Sequence, residues 1–271
     1  MAEQDQRTPI FTRLRDAIRA EHPVALATVI EGPHVGAKLF AVSTPGVEDV
    51  ELGGTLGDED LDRVVARDVL GELAAGRNGI RRYGPQGQAR EEDVAVFIES
   101  FAPPPQMVIF GAVDFTAALV KVSRFLGYRV TVCDARPIFA TAQRFPQANE
   151  VVVDWPDRLL ERIGPDLQVR DAVAVLTHDN KFDVPAITSA LKTNVGYIGV
   201  MGSRKTHDNR TKRLVEAGVT EEELQRLRSP LGLNLGGRTP EETAISIVAE
   251  IIALRIGREA PALRDAEGSI H

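Results

Sequence analysis

The second half of the chain alternates short, wholly apolar runs with longer amphipathic or polar segments. The apolar runs are "MVIFG", "RVTVCD", "EVVVD", "DAVAVLTH" and "VGYIGVMG". Continuous apolar runs of this length are typical of strands that are buried on both faces. Their alternation with helical segments predicts a parallel sheet covered by helices, in a Rossmann-like α/β arrangement.

The first half has a different pattern, in which strand-like runs cluster together. The runs "VALATVI", "GAKLFAVS", "VELGGTLG", "NGIRRYG" and "VAVFIESF" are accompanied by two amphipathic helical segments. This clustering predicts a small α+β domain. The prolines of "FAPPPQ" follow it, and consecutive prolines stiffen a chain and donate no backbone hydrogen bonds. We therefore predict an α+β domain at 1–102, a Rossmann-like parallel-sheet domain at 103–257 and a polar C-terminal tail at 258–271.

Charge and cysteine content narrow the classes of function. The formal net charge is −7 and no run of lysine or arginine occurs, which argues against a nucleic-acid-binding protein. The one cysteine, Cys133, excludes an intramolecular disulfide and fits a reducing compartment. Its apolar strand favours buried packing over redox or metal chemistry. No signal peptide and no stretch near the roughly 20 apolar residues of a membrane span is seen, so a cytoplasmic protein is predicted.

The first candidate site is the loop after the strand "MVIFG". In open parallel sheets ligands bind at the carboxyl ends of the strands, and this loop commonly reads G-x-G-x-x-G. Here Gly111 is kept, whereas Val113 and Thr116 stand where the other two glycines are expected. A β-branched residue disfavours positive φ and crowds a phosphate, which weakens an ordinary NAD pose. Gly111 and Ala112 are candidate phosphate contacts, and the alternative is a plain strand-to-helix turn.

The second candidate site follows the next strand. Asp134 lies 23 positions after Gly111, close to the spacing expected for a carboxylate that binds a ribose diol. The alternative for Asp134 is an ordinary turn residue before "ARP". Arg136 is a candidate for holding a phosphate instead, which would favour a phosphorylated ribose or another nucleotide.

Two further polar segments follow apolar strands. In "LTHDNKFD", Thr177 ends an apolar run and is followed by His178, Asp179, Lys181 and Asp183. Imidazole and carboxylates grouped in this way could bind a metal ion, act as acid and base, bind the polar part of a ligand, or form a hydrogen-bonded loop. In "MGSRKTH", Gly202, Ser203 and Arg204 could form an anion site, although Ser203 could equally cap a helix.

No catalytic motif accompanies these segments. The sequence contains no G-x-S-x-G elbow, H-E-x-x-H, Walker loop or paired-cysteine metal motif. Since no nucleophile, base and orienting group can be assembled, we assign no catalytic and no metal-ligating residue.

Several long motifs occur in an order that resembles the XdhC/CoxI family, the accessory factors of xanthine and carbon monoxide dehydrogenases. They are "PPPQMVIFGA", "VTVCDARPIFATAQRFPQANEVV", "VLTHDNKFDVPAI", "YIGVMGSRKTH" and "GLNLGGRTPEETAISIVAEIIALR". The resemblance implies a maturation factor that binds molybdenum cofactor and passes it to a molybdenum hydroxylase subunit. It also implies a homodimer.

The resemblance has two departures. The family usually carries Gly-Gly-Cys in the first domain, where this chain has Thr55 after the glycine pair, and its G-A-G-H loop is replaced by "GAVD". A threonine does not replace a thiolate as a ligand of a soft metal. These changes indicate a divergent member of the family.

The predicted function is therefore cofactor handling by an accessory protein rather than catalysis. We expect Gly111 and Ala112 at a phosphate and Asp134 with Arg136 at a ribose, pterin edge or phosphate. Thr177, His178 and Asp179 would form the site wall, and Gly202, Ser203 and Arg204 would meet an anionic group. Two alternatives stay open, namely an NAD(P)-binding oxidoreductase and a degenerate interaction module without a ligand.

Overall fold

The computed structural model describes residues 7–43, 50–88, 93–177 and 179–255, without the side chains of residues 7–9, Asn180 and Arg204. The chain separates into two compact units between Pro103 and Pro104. The segment 258–271, for which a polar tail is predicted, lies outside the described residues.

The first unit is a five-stranded antiparallel sheet with the strand order β3-β2-β1-β5-β4. Its elements are α1 (Arg7–Arg19), β1 (Val24–Glu31), β2 (Lys38–Val42), β3 (Glu51–Thr55), α2 (Glu59–Ala75), β4 (Gly79–Tyr83) and β5 (Val94–Phe101).

Both faces of this sheet are covered, which explains the continuous apolar run of its central strand β1. Val24 and Leu26 pack in a cluster with α1, whereas Ala25, Ala27 and Val29 pack in a second cluster with α2. Successive strand residues point to opposite faces, so a strand between two helices needs apolar residues at every position.

The ends of α2 are set by local sequence. Asp58 accepts hydrogen bonds from the amides of Asp60 and Leu61, and Gly76 ends the helix in the left-handed conformation with φ 62°. A side-chain cap and a terminal glycine satisfy backbone groups that a helix leaves unpaired.

The second unit is a six-stranded parallel sheet with the strand order β11-β10-β9-β6-β7-β8. Its elements are β6 (Gln106–Phe110), α3 (Asp114–Phe125), β7 (Arg129–Cys133), β8 (Glu150–Val152), α4 (Pro156–Ile163), β9 (Ala172–Val175), α5 (Asn180–Leu191), β10 (Tyr197–Val200), α6 (Arg204–Glu216), α7 (Glu221–Gln225), β11 (Leu227–Arg228) and α8 (Pro240–Arg255).

The core of the second unit has two layers. Met107 and Ile109 of β6 pack with α3 and α8, whereas Val108 and Phe110 pack with α4 and α5. All four side chains are fully buried. This is the doubly wound order in which the first strand of the domain lies at the centre. The predicted α/β fold, an α+β unit followed by a Rossmann-like parallel sheet, is confirmed.

Cys133 ends β7 and is buried, as its apolar strand predicts. Burial raises the pKa of its thiol to about 12, although its contact with the Asp154 carbonyl acts in the opposite direction. Among the described residues, no helix is long and apolar enough to cross a membrane.

The raised pKa predicts that the Cys133 thiol is inert in the folded protein. At pH 8 its thiolate fraction should be roughly a thousandfold below that of an ordinary thiol, and burial further limits access. Reaction with a thiol reagent such as Ellman's reagent should therefore be very slow for the folded protein and fast in denaturant. Equal rates in the two states would contradict this assignment.

Candidate ligand site at the carboxyl ends of the parallel strands

The carboxyl ends of β6 and its neighbour β9 form the centre of the candidate site. Gly111 follows β6 with φ 106°, and a Cβ there would lie 2.7 Å from Cγ2 and 3.0 Å from the amide nitrogen of Thr177. Only glycine combines this conformation with so close an approach. The structure thus brings two predicted site residues together, where the chain connections diverge and a crevice is expected.

The backbone amides of the first loop are already engaged. The amide of Gly111 donates to the Cys133 carbonyl at 2.9 Å, and that of Ala112 donates to Oδ2 of Asp134 at 2.9 Å. The Val113 amide donates to the Thr116 hydroxyl at 3.3 Å, and this hydroxyl donates to the Gly111 carbonyl. The donors that would cradle a pyrophosphate in a glycine-rich loop therefore bind groups of the protein.

Asp134 is the acceptor that organises this edge of the sheet. The residue is 4% exposed. Its carboxylate accepts from the Ala112 amide, from the Arg136 amide and Nε at 2.9 Å each, and from Arg136 Nη2 at 2.8 Å. Burial alone would raise its pKa, but the hydrogen bonds from Arg136 and Ala112 outweigh it and hold the pKa below its ordinary value. Four donors occupy the usual acceptor capacity of a carboxylate. A ribose at Asp134 stays a prediction, and such a ligand would have to replace Arg136.

Aromatic and cationic side chains surround Arg136. Its guanidinium lies 4.6 Å from the ring centre of Phe139 and 5.8 Å from that of Phe182. Arg144 lies 5.6 Å from the Phe139 ring and donates to the Ala112 carbonyl at 3.0 Å. Trp155 packs on Phe182 with ring centres 5.0 Å apart. We call this group the cation–aromatic rim; it comprises Arg136, Phe139, Arg144, Trp155, Lys181 and Phe182.

Sequence reasoning missed most of the rim. Phe139 and Trp155 are each 38% exposed, although large aromatic residues are usually well buried. Both follow the carboxyl ends of strands, in "ARPIFATAQRF" and "VDWPDR". An aromatic residue beyond the end of an apolar strand, with arginine nearby, was the signal available.

A buried ion pair links the ends of β9 and β10. The Thr177 hydroxyl donates to Oδ1 of Asp183, whose Oδ2 accepts from Arg210 Nη2 at 2.8 Å. The same nitrogen donates to the Met201 carbonyl at 2.9 Å. Asp183 and Arg210 are 1% and 2% exposed. Because removing one partner of a buried pair leaves an uncompensated charge, this network holds both loops in place.

The remaining predicted site residues are placed as follows. Asp179 caps α5 by accepting from the Lys181 amide at 3.1 Å, and Ser203 caps α6 by accepting from the Thr206 amide at 3.2 Å. Gly202, with φ 151°, precedes that cap. His178 and the side chain of Arg204 lie outside the described residues. Ligand contacts by this set stay predictions. Within the ranges that the structure describes, no cluster of three or more His, Cys, Asp or Glu residues could hold a metal ion.

Comparison with known proteins identifies the second unit. The model of the XdhC Rossmann domain matches residues 107–251, more than half of the chain. This chain belongs to the XdhC family. The resemblance noted from the sequence motifs is thereby confirmed.

Individual XdhC relatives cover parts of the chain. A Bacillus subtilis protein, named as a probable subunit of xanthine dehydrogenase, is 33% identical over 165 residues, which are 61% of this chain and 47% of that protein. The molybdenum cofactor insertion chaperone PaoD of Escherichia coli is 26% identical over 187 residues, 66% of this chain and 52% of PaoD. This chain thus spans about half the length of the curated relatives it matches.

A solved structure shares the XdhC fold. It is described as a xanthine dehydrogenase from Bacillus halodurans, with a TM-score of 0.53 and 21% identity, and the match covers 91% of this chain and 97% of that one. At this identity the likeness shows the fold alone.

Thr55, at the position where the resemblance implies a cysteine, ends β3 in the first unit. It is exposed, and its hydroxyl accepts from the Gly57 amide at 3.0 Å. Gly54 before it has φ 88°, and a Cβ there would collide with the Lys38 carbonyl. The packing of the sheet therefore explains why glycines precede Thr55. Thr55 itself provides a hydroxyl and no thiol.

The bonding of Asp134 predicts a measurable stability effect. Asp134→Asn should lower the free energy of unfolding by about 1–3 kcal/mol, because an amide nitrogen would face donors. A carboxylate whose folded-state pKa is lowered stabilises the protein above its ordinary pKa of about 3.9, and that contribution is lost as the pH falls toward the folded value. Urea unfolding of wild type and variant from about pH 7 to about pH 3.5 should show the difference shrinking.

The matched control is Asp114→Asn, at an exposed position in the first turn of α3. It should change stability by less than about 0.5 kcal/mol at pH 7. An Asp134→Asn penalty that is the same at both ends of the pH range would contradict the role of the ionised carboxylate.

Proposed function

We propose that this chain is an accessory factor that holds molybdenum cofactor for a molybdenum hydroxylase, with the cofactor at the cation–aromatic rim. The observation that carries the proposal is the contrast between the first loop and the rim. The loop's amides are bonded internally, whereas the rim presents cations and exposed rings. Among relatives, PaoD is named as a molybdenum cofactor insertion chaperone, which supports the same role here.

The residues present suit the organic part of this cofactor. Arg136 and Lys181, whose side chains are 43% and 62% exposed, carry the positive charge that a phosphate prefers. Phe139 and Trp155 offer partly exposed rings on which a planar pterin can stack. Asp134 lies deeper and holds Arg136 in position. In this proposal the rim binds and orients the ligand and shields one of its faces from water.

The metal itself has no thiolate partner in this chain. Cys133 is the one cysteine, and it is buried with a raised pKa. Thr55 supplies only a hydroxyl. When bound, the cofactor would bring the molybdenum centre that a hydroxylase uses, and this chain would grip it through the pterin and phosphate groups. That mode of binding suits a carrier, which must later release its cargo.

The same observations weigh against the alternative of an NAD(P)-binding oxidoreductase. A dinucleotide in the usual pose needs free amides in the loop that leads into α3, and here Asp134 and Thr116 accept from the amides of Ala112 and Val113. We further propose that the partner is a molybdenum hydroxylase subunit, that the accessory factor is a homodimer and that it acts in the cytoplasm. The family resemblance supports the first two, and the presence of a single cysteine supports the third.

The single tryptophan, Trp155, provides a direct test because it lies in the rim. Anaerobic titration with molybdopterin, or with its dinucleotide form, should quench its fluorescence to saturation. Phe139→Ala should weaken binding by about 1–3 kcal/mol, the range for loss of one stacking ring. The matched control Phe125→Ala removes a ring that is 88% exposed at the far end of α3 and should leave the affinity unchanged.

Two outcomes would overturn the proposal. Saturable binding of NADH or NADPH with no binding of molybdopterin would favour the oxidoreductase. Absence of any ligand response, confirmed by calorimetry, would favour an interaction module that has lost its ligand.

A further inference from the structure

The strand β4 is an edge of the sheet in the first unit. Within the part of the chain that the structure describes, it pairs with β5 alone, whereas β1 pairs on both sides. Its three central residues, Ile80, Arg81 and Arg82, are exposed, and Ile80 is 59% exposed. An exposed edge presents backbone donors and acceptors that can pair with another strand.

Beside this edge, a cavity of about 580 Å³ runs between β4 and α2. We call it the arginine groove, since its lining includes Arg67, Arg77, Arg81 and Arg82 together with the carboxylates Asp68 and Glu72. The chain as a whole carries a formal net charge of −7, whereas the lining of this groove contains four arginines and only two carboxylates.

The two carboxylates of the arginine groove lie deep and the arginines face outward. Glu72 has a side chain only 9% exposed and accepts from Arg77 at 3.1 Å and from Arg81. Burial alone would raise the pKa of Glu72, but hydrogen bonds from Arg81 and Arg77 hold it below its ordinary value. Asp68 accepts from the Tyr83 hydroxyl at 2.9 Å.

The arginine side chains are between 42% and 79% exposed, with Arg67 the most exposed and Arg82 the least. A ligand approaching the groove therefore meets guanidinium groups before it meets carboxylates. This arrangement favours an anionic occupant.

We propose that the arginine groove and the β4 edge bind an acidic, extended segment of a partner protein, which adds to the sheet as a further strand. Main-chain hydrogen bonds to β4 would supply the pairing, and acidic side chains on one face of the added strand would meet the arginines. Ile80 and Arg82 alternate with Arg81 along β4 and so point to its other face, where Ile80 would contact an apolar residue of the segment. A second copy of this chain fits poorly, because arginines would face arginines across the new strand pair.

The β4 edge and the arginine groove belong to the first unit alone, so binding there can be tested separately from binding of the cofactor. The test uses the full chain and a fluorescein-labelled peptide in which glutamate alternates with valine. Fluorescence anisotropy should show saturable binding that weakens as salt is raised. The same peptide with lysine in place of glutamate should not bind. A version with alternate amides N-methylated should bind much more weakly, because it cannot form the strand ladder.

Variants locate the binding surface. The double change Arg67→Glu with Arg82→Glu should weaken binding by about tenfold or more, since it reverses two positive charges beside the β4 edge. The surface pair of Arg82 with Glu31 contributes little to stability, so the variant should fold. Arg63→Glu is the matched control, because Arg63 lies on α2 with a side chain 76% exposed but outside the groove. It should bind like wild type.

Several results would overturn the proposal. One is failure of the glutamate peptide to bind, and another is equal binding of the N-methylated peptide, which would reduce the groove to an anion patch. Tighter binding of a short oligonucleotide would assign the groove to nucleic acid. A homodimer that dissociates in the Arg67→Glu, Arg82→Glu variant would assign the edge to a second copy.

Discussion

The ionised carboxylate of Asp134 is the centre on which the arrangement of the second unit's candidate site depends. It joins the loop after β6 to the end of β7 by accepting from the Ala112 amide, and it fixes Arg136 through both its amide and its guanidinium. Nearly complete burial makes the carboxylate costly unless every acceptor site is used. The protein meets that requirement with its own donors, so the geometry of this edge is set before any ligand arrives.

Because these loop amides are bonded within the protein, the groups left to contact a ligand at this edge are side chains rather than backbone amides. A glycine-rich loop recognises a phosphate with free amides and a helix N-terminus. Here Asp134 and the Thr116 hydroxyl use those amides, and the positive groups lie outward, in Arg136, Arg144 and Lys181 beside aromatic rings. Val113 and Thr116, at the positions of the second and third glycines of the usual motif, thus belong to one consistent arrangement, in which Thr116 closes the loop on itself.

The two units present two different kinds of surface. In the second unit, cations and rings at the ends of parallel strands suit a small planar anion, and the ion pair of Asp183 with Arg210 keeps the neighbouring loops fixed. In the first unit, Glu72 orders the arginines of an open groove at a sheet edge, a geometry that suits an extended chain. The proposed role, in which a cofactor is held for another protein, would require both kinds of surface.

The fold class, and the edge of the sheet at which the candidate residues meet, were already predictable from the amino-acid sequence. Wholly apolar runs imply strands buried on both faces, and parallel strands bring their carboxyl ends to one edge, so Gly111, Asp134, Thr177 and Ser203 were predictable as neighbours of that edge. The family, too, followed from motifs in sequence order. Which donor bonds to each acceptor could be learned only from the tertiary structure. The pairing of Asp134 with Ala112, the burial of Arg210 against Asp183 and the packing of Trp155 on Phe182 join residues from different loops or helices. Local periodicity reports which side of an element is buried, whereas hydrogen-bond partners depend on where distant segments converge.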